Sequence, residues 1–224
     1  MNVFIVTSTI STQHRSHFTT EQRLEQTVAT AQSIDRWCPN SYKLIIDGSG
    51  TLTQEHVNTL RNCYNMVLIV NDMYVTSSHN ISYGEISMLQ KALVYIQSLD
   101  MNILRIFKLS GRYTLTSDFD LENYPIHRYC FYRNTHHNKT GYDEKWGWMY
   151  KTSEIPHTNL DCYLTVLYMI PPTNLSEFNE ILNTPLVSDV EHLLYDNIPK
   201  EKVHILSVNG VEGTMGSNGT YIRR

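Results

Sequence analysis

The chain predicts an α/β fold in which a central, mostly parallel sheet is flanked by helices. Two observations carry this expectation. Between Asn2 and Leu109, four short and nearly all-apolar runs alternate with segments whose apolar residues recur at helical spacing. Strands buried on both faces belong to parallel sheets covered by helices, with right-handed crossovers. The length of 224 residues fits one such domain or at most two small ones, and a composition of 41% hydrophobic and 18% charged residues is globular, with disorder expected only at the ends.

The elements follow in order. Asn2 to Val6 is a β-branched run ending in the polar TSTIST, so a strand and then a loop. Thr19-Thr20-Glu21 opens a helix reaching about Trp37. Thr20 followed by Arg23 makes no capping box, but Thr19 or Thr20 can cap, and Glu21 suits the positive helix end. Leu24, Val28, Ala31 and Ile34 share one face, and Pro39 ends the helix. Tyr42 to Ile46 is a second strand closed by Asp47-Gly48-Ser49-Gly50. Thr53 to Cys63 is a helix with Val57 and Leu60 inward, and Met66 to Val70 a third strand. A polar loop, Tyr74 to Asn80, leads to a helix over Ser82 to Leu99 with Ile86, Leu89, Leu93 and Ile96 on one face. Ile103 to Leu109 is the fourth strand, and SGRY marks where it emerges.

The second half changes character. Ile126 to Arg133, Trp148 to Ser153 and Tyr163 to Ile170 read as strands, the first two separated by the polar aromatic loop NTHHNKTGYDEKWG. Pro171-Pro172 stops the third. Short helices follow at Leu175–Leu182 and Val187–Asp196, then a last strand at Val203 to Val208. The Gly-rich tail NGVEGTMGSNGTYIRR reads as a hairpin or a flexible flap.

The formal net charge of −4 argues against a general nucleic-acid binder. Cys38, Cys63, Cys130 and Cys162 are scattered without metal-ligand spacing and read as reduced thiols, which implies a cytoplasmic protein. The N-terminus lacks a signal-peptide pattern, and no apolar run reaches the roughly 18 residues that a membrane span needs. The N-x-S/T triplets at Asn80, Asn138, Asn174 and Asn218 then read as chance. His136-His137 reads as a surface pair. No GxSxG, Walker loop or GxGxxG occurs, so hydrolase, P-loop and dinucleotide readings have no local support.

Ligands in open α/β sheets collect at the carboxyl ends of strands. Thr7 and Ser8, at the exit of the first strand, offer hydroxyls and amides to a base or ribose, or bond their own turn. Arg15, Arg23 and Gln26 flank that exit and can reach a pyrophosphate; surface salt bridges are the alternative for the arginines. Asp47 can accept a ribose hydroxyl or a uracil N–H, or close an Asx turn. Glu85 stands near a helix N-terminus beside Gly84, either at an anion site or as a favourable first-turn charge. Lys108 interrupts an apolar strand and needs a partner or a route to solvent. It shares a face with Ser110, and Arg112 follows in the loop, where its fork can grip a phosphate or carboxylate. Asp118-Phe119-Asp120 spells D-x-D, which can hold Mg²⁺ or Mn²⁺ against a diphosphate or cap a helix. Asp189 and Glu191 open a helix, as general base or as dipole-matched charges.

Taken together, TSTI, EQRLEQTVATAQSI, IIDGSG, YGEISML, FKLSGRY and SVNGVEGTMGSNGTY resemble the small GT-A-type glycosyltransferase-like proteins of large DNA viruses and phages, over roughly Asn2 to Tyr221. The resemblance implies a single GT-A-like (Rossmann-like) domain over residues 1–224. Its nucleotide-binding half is 1–120, its acceptor half 121–208 and its Gly-rich tail 209–224. It implies a glycosyltransferase that moves a sugar from a nucleoside-diphosphate sugar, UDP-sugar favoured, to a hydroxyl of a glycan or glycoprotein. Host cytoplasm would be the location of a viral member. Thr7, Ser8, Asp47, Arg23 and Gln26 would form the nucleotide pocket, with Glu85, Lys108 and Ser110 beside it. The family's metal-binding D-x-D would stand where this chain has Ser110-Gly111-Arg112. Either Lys108 and Arg112 replace the metal's charge, or Asp118 and Asp120 supply a Mn²⁺ or Mg²⁺ site, or activity is lost and a sugar- or nucleotide-binding module remains. Arg112, Glu191 and Asp189 are the catalytic candidates, Glu191 ahead of Asp189 as base. Trp146, Trp148 and Tyr150 would stack on an acceptor sugar or serve the core. A nucleotidyltransferase ranks last, because TSTISTQHRS has no glycine.

Overall fold

A computed structural model describes residues 1–12, 16–71, 81–134, 162–186, 189–215, 219 and 221–223. Arg15, the loop 74–80, the pair His136-His137, the expected strand 148–153 and Trp146, Trp148 and Tyr150 lie outside the described residues. The strands are β1 (Asn2–Ser8), β2 (Tyr42–Asp47), β3 (Met66–Ile69), β4 (Arg105–Ser110), β5 (Tyr113–Leu115), β6 (Tyr129–Asn134), β7 (Cys162–Ile170), β8 (Val203–Leu206), β9 (Val211–Thr214) and β10 (Tyr221–Arg223). The helices are α1 (Thr20–Trp37), α2 (Gln54–Arg61), α3 (Ile81–Gln97), α4 (Leu175–Leu182) and α5 (Val190–Asn197).

A seven-stranded sheet has the order β3-β2-β1-β4-β7-β6-β8. The first four run parallel. β7 is antiparallel to both its neighbours, and β8 is again parallel to β6. Helices flank the sheet, and the alternation within β1 shows how it divides the core. Val3 and Ile5 face Leu89 and Leu93 of α3, Phe178 of α4 and Leu194 of α5. Phe4 and Val6 face Ala31 and Ile34 of α1 and Leu60 of α2, with Phe4 stacked on Phe107 at 4.7 Å. All four β1 residues are fully buried, which is why the run is apolar on both faces.

Helix α1 departs from its expected form twice. A capping box does exist, one residue earlier than the pair considered: the Thr19 hydroxyl accepts from Gln22 N (3.2 Å), and Gln22 Oε1 accepts from Thr19 N (2.9 Å). The buried face is also rotated. Leu24 and Val28 are half-buried, whereas Arg23, Thr27, Thr30 and Ser33 are buried beside Ala31 and Ile34. The hydroxyls bond the segment just past β4. Thr27 Oγ1 donates to Gly111 O (3.1 Å), Thr30 Oγ1 donates to Tyr113 O (2.9 Å), and Ser33 Oγ accepts from Leu115 N (3.0 Å).

On its other side β5 pairs with β9, and β9 with β10, so the tail forms an antiparallel hairpin in a second, three-stranded sheet. The segment 111–115 is thus held from both edges. Gly210 has φ of +69°, and a Cβ there would meet the Phe119 Cα at 2.6 Å, so the turn into β9 needs glycine.

Candidate active site

The carboxyl ends of β1, β2 and β4 meet at a tightly bonded edge. Ser8 Oγ lies 3.2 Å from Thr27 Oγ1, Ser8 O accepts from Gly48 N (2.8 Å), and Thr7 O accepts from Gly111 N (2.9 Å). Asp47 is fully buried; its Oδ2 accepts from Ile10 N and its Oδ1 from Ser49 N, both at 2.9 Å. Burial pushes the Asp47 carboxyl up, and the Ser49, Ile10 and Ser8 hydrogen bonds pull it back. The expectation that Asp47 touches a base or ribose is therefore corrected. With no exposed surface it closes the Asx turn and ties down the loop after β1. Thr7 and Ser8, both buried, likewise brace this edge.

Beside them stand two arginines. Arg23 is buried; its guanidinium donates to Thr9 O and, through Nε, to Ser16 Oγ (2.9 Å). Burial first and then the nearby Arg112 charge lower its pKa to about 10, against a smaller pull from Asp47. Arg112 is reached through Gly111, which packs so closely that a Cβ there would meet Ser8 Cβ, Thr7 O and Thr27 Oγ1 within 3.2–3.3 Å. Arg112 Nε is enclosed and has no hydrogen-bond partner, and neither has Gln26 Oε1 on α1. Burial depresses the Arg112 pKa, with Tyr113 and Glu85 opposing.

The second group lies on the α3 and α5 side. Lys108 is fully buried and its ammonium has three neighbours: Glu85 Oε1 (2.5 Å), Ser110 Oγ (3.0 Å) and Thr165 O (2.7 Å). The Glu85 contact is an ion pair without hydrogen-bond alignment. With no exposed surface, Lys108 does not reach a diphosphate, and the role expected of it there is corrected. Glu85, half-buried, carries the charge that neutralises Lys108, and Ser110, also half-buried, accepts one of its hydrogen bonds. Thr165 also donates its hydroxyl to Glu191 Oε1 at 2.6 Å. Tyr168, opposite Lys108 in the β4–β7 pairing, has a buried hydroxyl without a partner. Ser82 Oγ accepts from Val190 N (3.3 Å) and brings the first turns of α3 and α5 together.

Glu191 is a different kind of carboxyl. Burial, then the neighbouring Glu85 and Asp189 charges, raise its pKa to about 7 against the Thr165 hydrogen bond. Asp189 caps α5: its Oδ1 accepts from His192 N (2.9 Å) and meets His192 Nδ1 at 2.7 Å. That hydrogen bond is the main cause of the raised His192 pKa. Of the two expected bases, Asp189 is occupied by the helix end and Glu191 has the poised carboxyl.

Asp118 and Asp120 do not form a metal chelate. Phe119 between them is buried in the core, Asp118 Oδ2 accepts from Arg223 (3.0 Å), and Asp120 caps a 3₁₀ turn through Glu122 N (3.0 Å). Among the described residues no three His, Cys, Asp or Glu side chains gather where a metal could bind. Mn²⁺ or Mg²⁺ does not fit these residues. Sequence reasoning missed Thr165 and Tyr168 as polar core members, and missed Thr27, Thr30 and Ser33 as supports of the Arg112 segment. The hydroxyls at helical spacing on α1 were the available signal.

No protein-family model matches the chain, and no curated protein matches it. Solved structures do. The chain is similar to a CTP:phosphocholine cytidylyltransferase from Streptococcus pneumoniae, with 13% identity, 95% of this chain and 93% of that one covered, and a TM-score of 0.53. It is similar to the bifunctional glycosyltransferase WbbM, at 10% identity, covering 91% of this chain and 38% of that one, TM-score 0.52. It is also similar to an active-site mutant of LgtC, at 11% identity, covering 92% and 72%, TM-score 0.50. The fold is therefore that of GT-A-type and nucleotidyltransferase-like proteins: mixed α/β with a central, mostly parallel sheet. Among the described residues no helix is long and apolar enough to cross a membrane.

Proposed function

We propose that the protein is an enzyme, a glycosyltransferase that moves a sugar from a nucleoside-diphosphate sugar, UDP-sugar favoured, to a hydroxyl of a glycan or glycoprotein. The observation that carries this reading is that Arg112, just past β4, and Glu191, at the start of α5, both feel the charge of Glu85. Arg112 has an enclosed, unused donor, and Glu191 has a carboxyl poised near neutrality. A leaving diphosphate and an acceptor proton need those two groups.

In this reading the acceptor oxygen attacks the anomeric carbon while the bond from that carbon to the diphosphate oxygen breaks. The electron pair leaves with the diphosphate, whose charge Arg112 stabilises. The acceptor proton passes to Glu191. A base acting directly on the acceptor implies a single displacement with inversion. Asp189 keeps α5 capped and Glu191 in place. Thr7, Ser8 and Asp47 shape the donor pocket from behind, and Gln26 lines it.

The fold is shared with a cytidylyltransferase and a glycosyltransferase, so it does not choose between them. The glycine-free loop after β1 and the base-like Glu191 favour sugar transfer. Cytoplasmic location is part of the proposal, supported by four free cysteines, and so is the viral or phage affinity of the motifs. The test is turnover. One nucleotide-sugar should be consumed with release of its nucleoside diphosphate, and Arg112→Ala should abolish this with folding intact. Nucleotide binding without turnover of any nucleotide-sugar would leave the alternative, a binding module with a degenerate site. Turnover of a nucleoside triphosphate instead would select a nucleotidyltransferase.

A further inference from the structure

Each described carboxylate around the proposed site already has a bond or an ion pair within the protein, and among the described residues no three His, Cys, Asp or Glu side chains gather to hold a metal. Both Asp47 oxygens accept backbone amides, Glu85 is paired with Lys108, Glu191 holds the Thr165 hydroxyl, and Asp189 caps α5. Asp118 and Asp120 are bound to Arg223 and to the Glu122 amide. A divalent cation bridging a diphosphate needs free oxygen ligands, usually one or two carboxylates.

What the edge has instead is guanidinium. Thr27 touches Gly111, and Arg23 precedes Thr27 by one helical turn, so α1 brings Arg23 to the segment that carries Arg112. The Arg112 backbone is fixed from two sides. Gly111 N donates to Thr7 O at 2.9 Å, and Gly213 of β9 lies so close that a Cβ there would sit 2.4 Å from the Arg112 carbonyl oxygen. Buried donors are normally satisfied, and Arg112 Nε is not.

We propose that Arg112, backed by Arg23, takes the place of a divalent cation, so that this protein binds nucleoside diphosphate and turns over its donor without metal. The inference rests on the reading under Proposed function. Arg112 binds phosphate oxygens directly through its planar fork. Arg23, whose Nε and one Nη already hold Ser16 and Thr9, positions the loop after β1 and lends charge. Fixed positive groups aimed at the diphosphate stabilise the charge that grows there as the glycosidic bond breaks.

The experiment is calorimetric titration of the full chain with UDP, GDP and CDP, in EDTA and again in Mg²⁺ or Mn²⁺. One nucleotide should bind in EDTA, with affinity changed by less than about threefold on adding metal, whereas Arg112→Lys and Arg112→Met should weaken it by roughly tenfold or more. Circular dichroism of the variants guards against misfolding, and Asp118→Asn should bind as the wild type does. Binding that appears only with Mg²⁺ or Mn²⁺ overturns this inference and leaves the proposed function standing. Equal affinity in both Arg112 variants overturns the assignment to Arg112. No binding of any nucleotide in either condition overturns the proposed function and this inference together.

Discussion

Two cationic side chains four residues apart, Lys108 and Arg112, are used in opposite ways. Lys108 is fully buried and matched: a carboxylate lies against its charge, and a hydroxyl and a carbonyl accept from it. Arg112 is clamped through its backbone yet keeps an enclosed donor without a partner. The difference teaches that a charge in the interior is no sign of function by itself; what matters is whether its neighbours have already neutralised it. Lys108 belongs to the architecture of the sheet, and Arg112 is the charge that the proposed function gives to a ligand.

That contrast can be broken most forcefully at Lys108. Lys108→Met leaves Glu85 facing the interior without its partner and should cost about 3 kcal/mol or more of stability, read by urea unfolding. Arg112→Met should leave stability close to wild type, and a loss as large as that of Lys108→Met would collapse the distinction.

Next in size is Glu191→Gln, which should lower transfer turnover by about a hundredfold or more while folding is retained. Its pH dependence has a definite sign. Glu191 binds its proton more tightly in the native protein, with a pKa of about 7, than in the unfolded chain. This group's contribution to stability therefore falls as pH rises from the ordinary carboxyl range to about 7, then levels off. Thermal midpoints across that range should show the slope in wild type and a flatter one in Glu191→Gln, and turnover by the wild type should rise through the same window. A pH-independent difference between the two proteins would refute the poised carboxyl.

Gly213→Ala comes third. It forces a Cβ against the Arg112 carbonyl oxygen and should cost about 2 kcal/mol while weakening nucleotide binding, measured on the same samples. The smallest effect belongs to Asp118→Asn, an exposed partner of Arg223 away from the arginine pair: neither unfolding midpoint nor nucleotide affinity should move.

Much of this fold could be read from residues alone, because the central strands are buried on both faces and declare themselves as apolar runs. Helix α3 presented its core face at the expected positions, and Ile86, Leu89, Leu93 and Ile96 are all buried. The face of α1 was misread by about one position. Hydrophobic periodicity weighs Leu24 and Val28 but cannot see that Thr27, Thr30 and Ser33 are buried to bond the chain beyond β4. At the site the residue types were legible and their pairings were not. Lys108 announced its need for a partner, yet Glu85, more than twenty residues upstream on a helix, read separately as a ligand contact. Asp118-Phe119-Asp120 has chelate spacing in sequence, but spacing carries no direction, and the buried Phe119 sends its neighbours to different tasks.

The most direct test of the account follows the phosphates themselves. In a ³¹P NMR titration in EDTA, the phosphorus resonances of the bound nucleoside diphosphate should shift with wild-type protein and stay at their free positions with Arg112→Met. Shifts of equal size with Arg112→Met, or shifts in the wild type that appear only once Mg²⁺ is added, would contradict the claim that Arg112 is the charge this site reserves for its ligand.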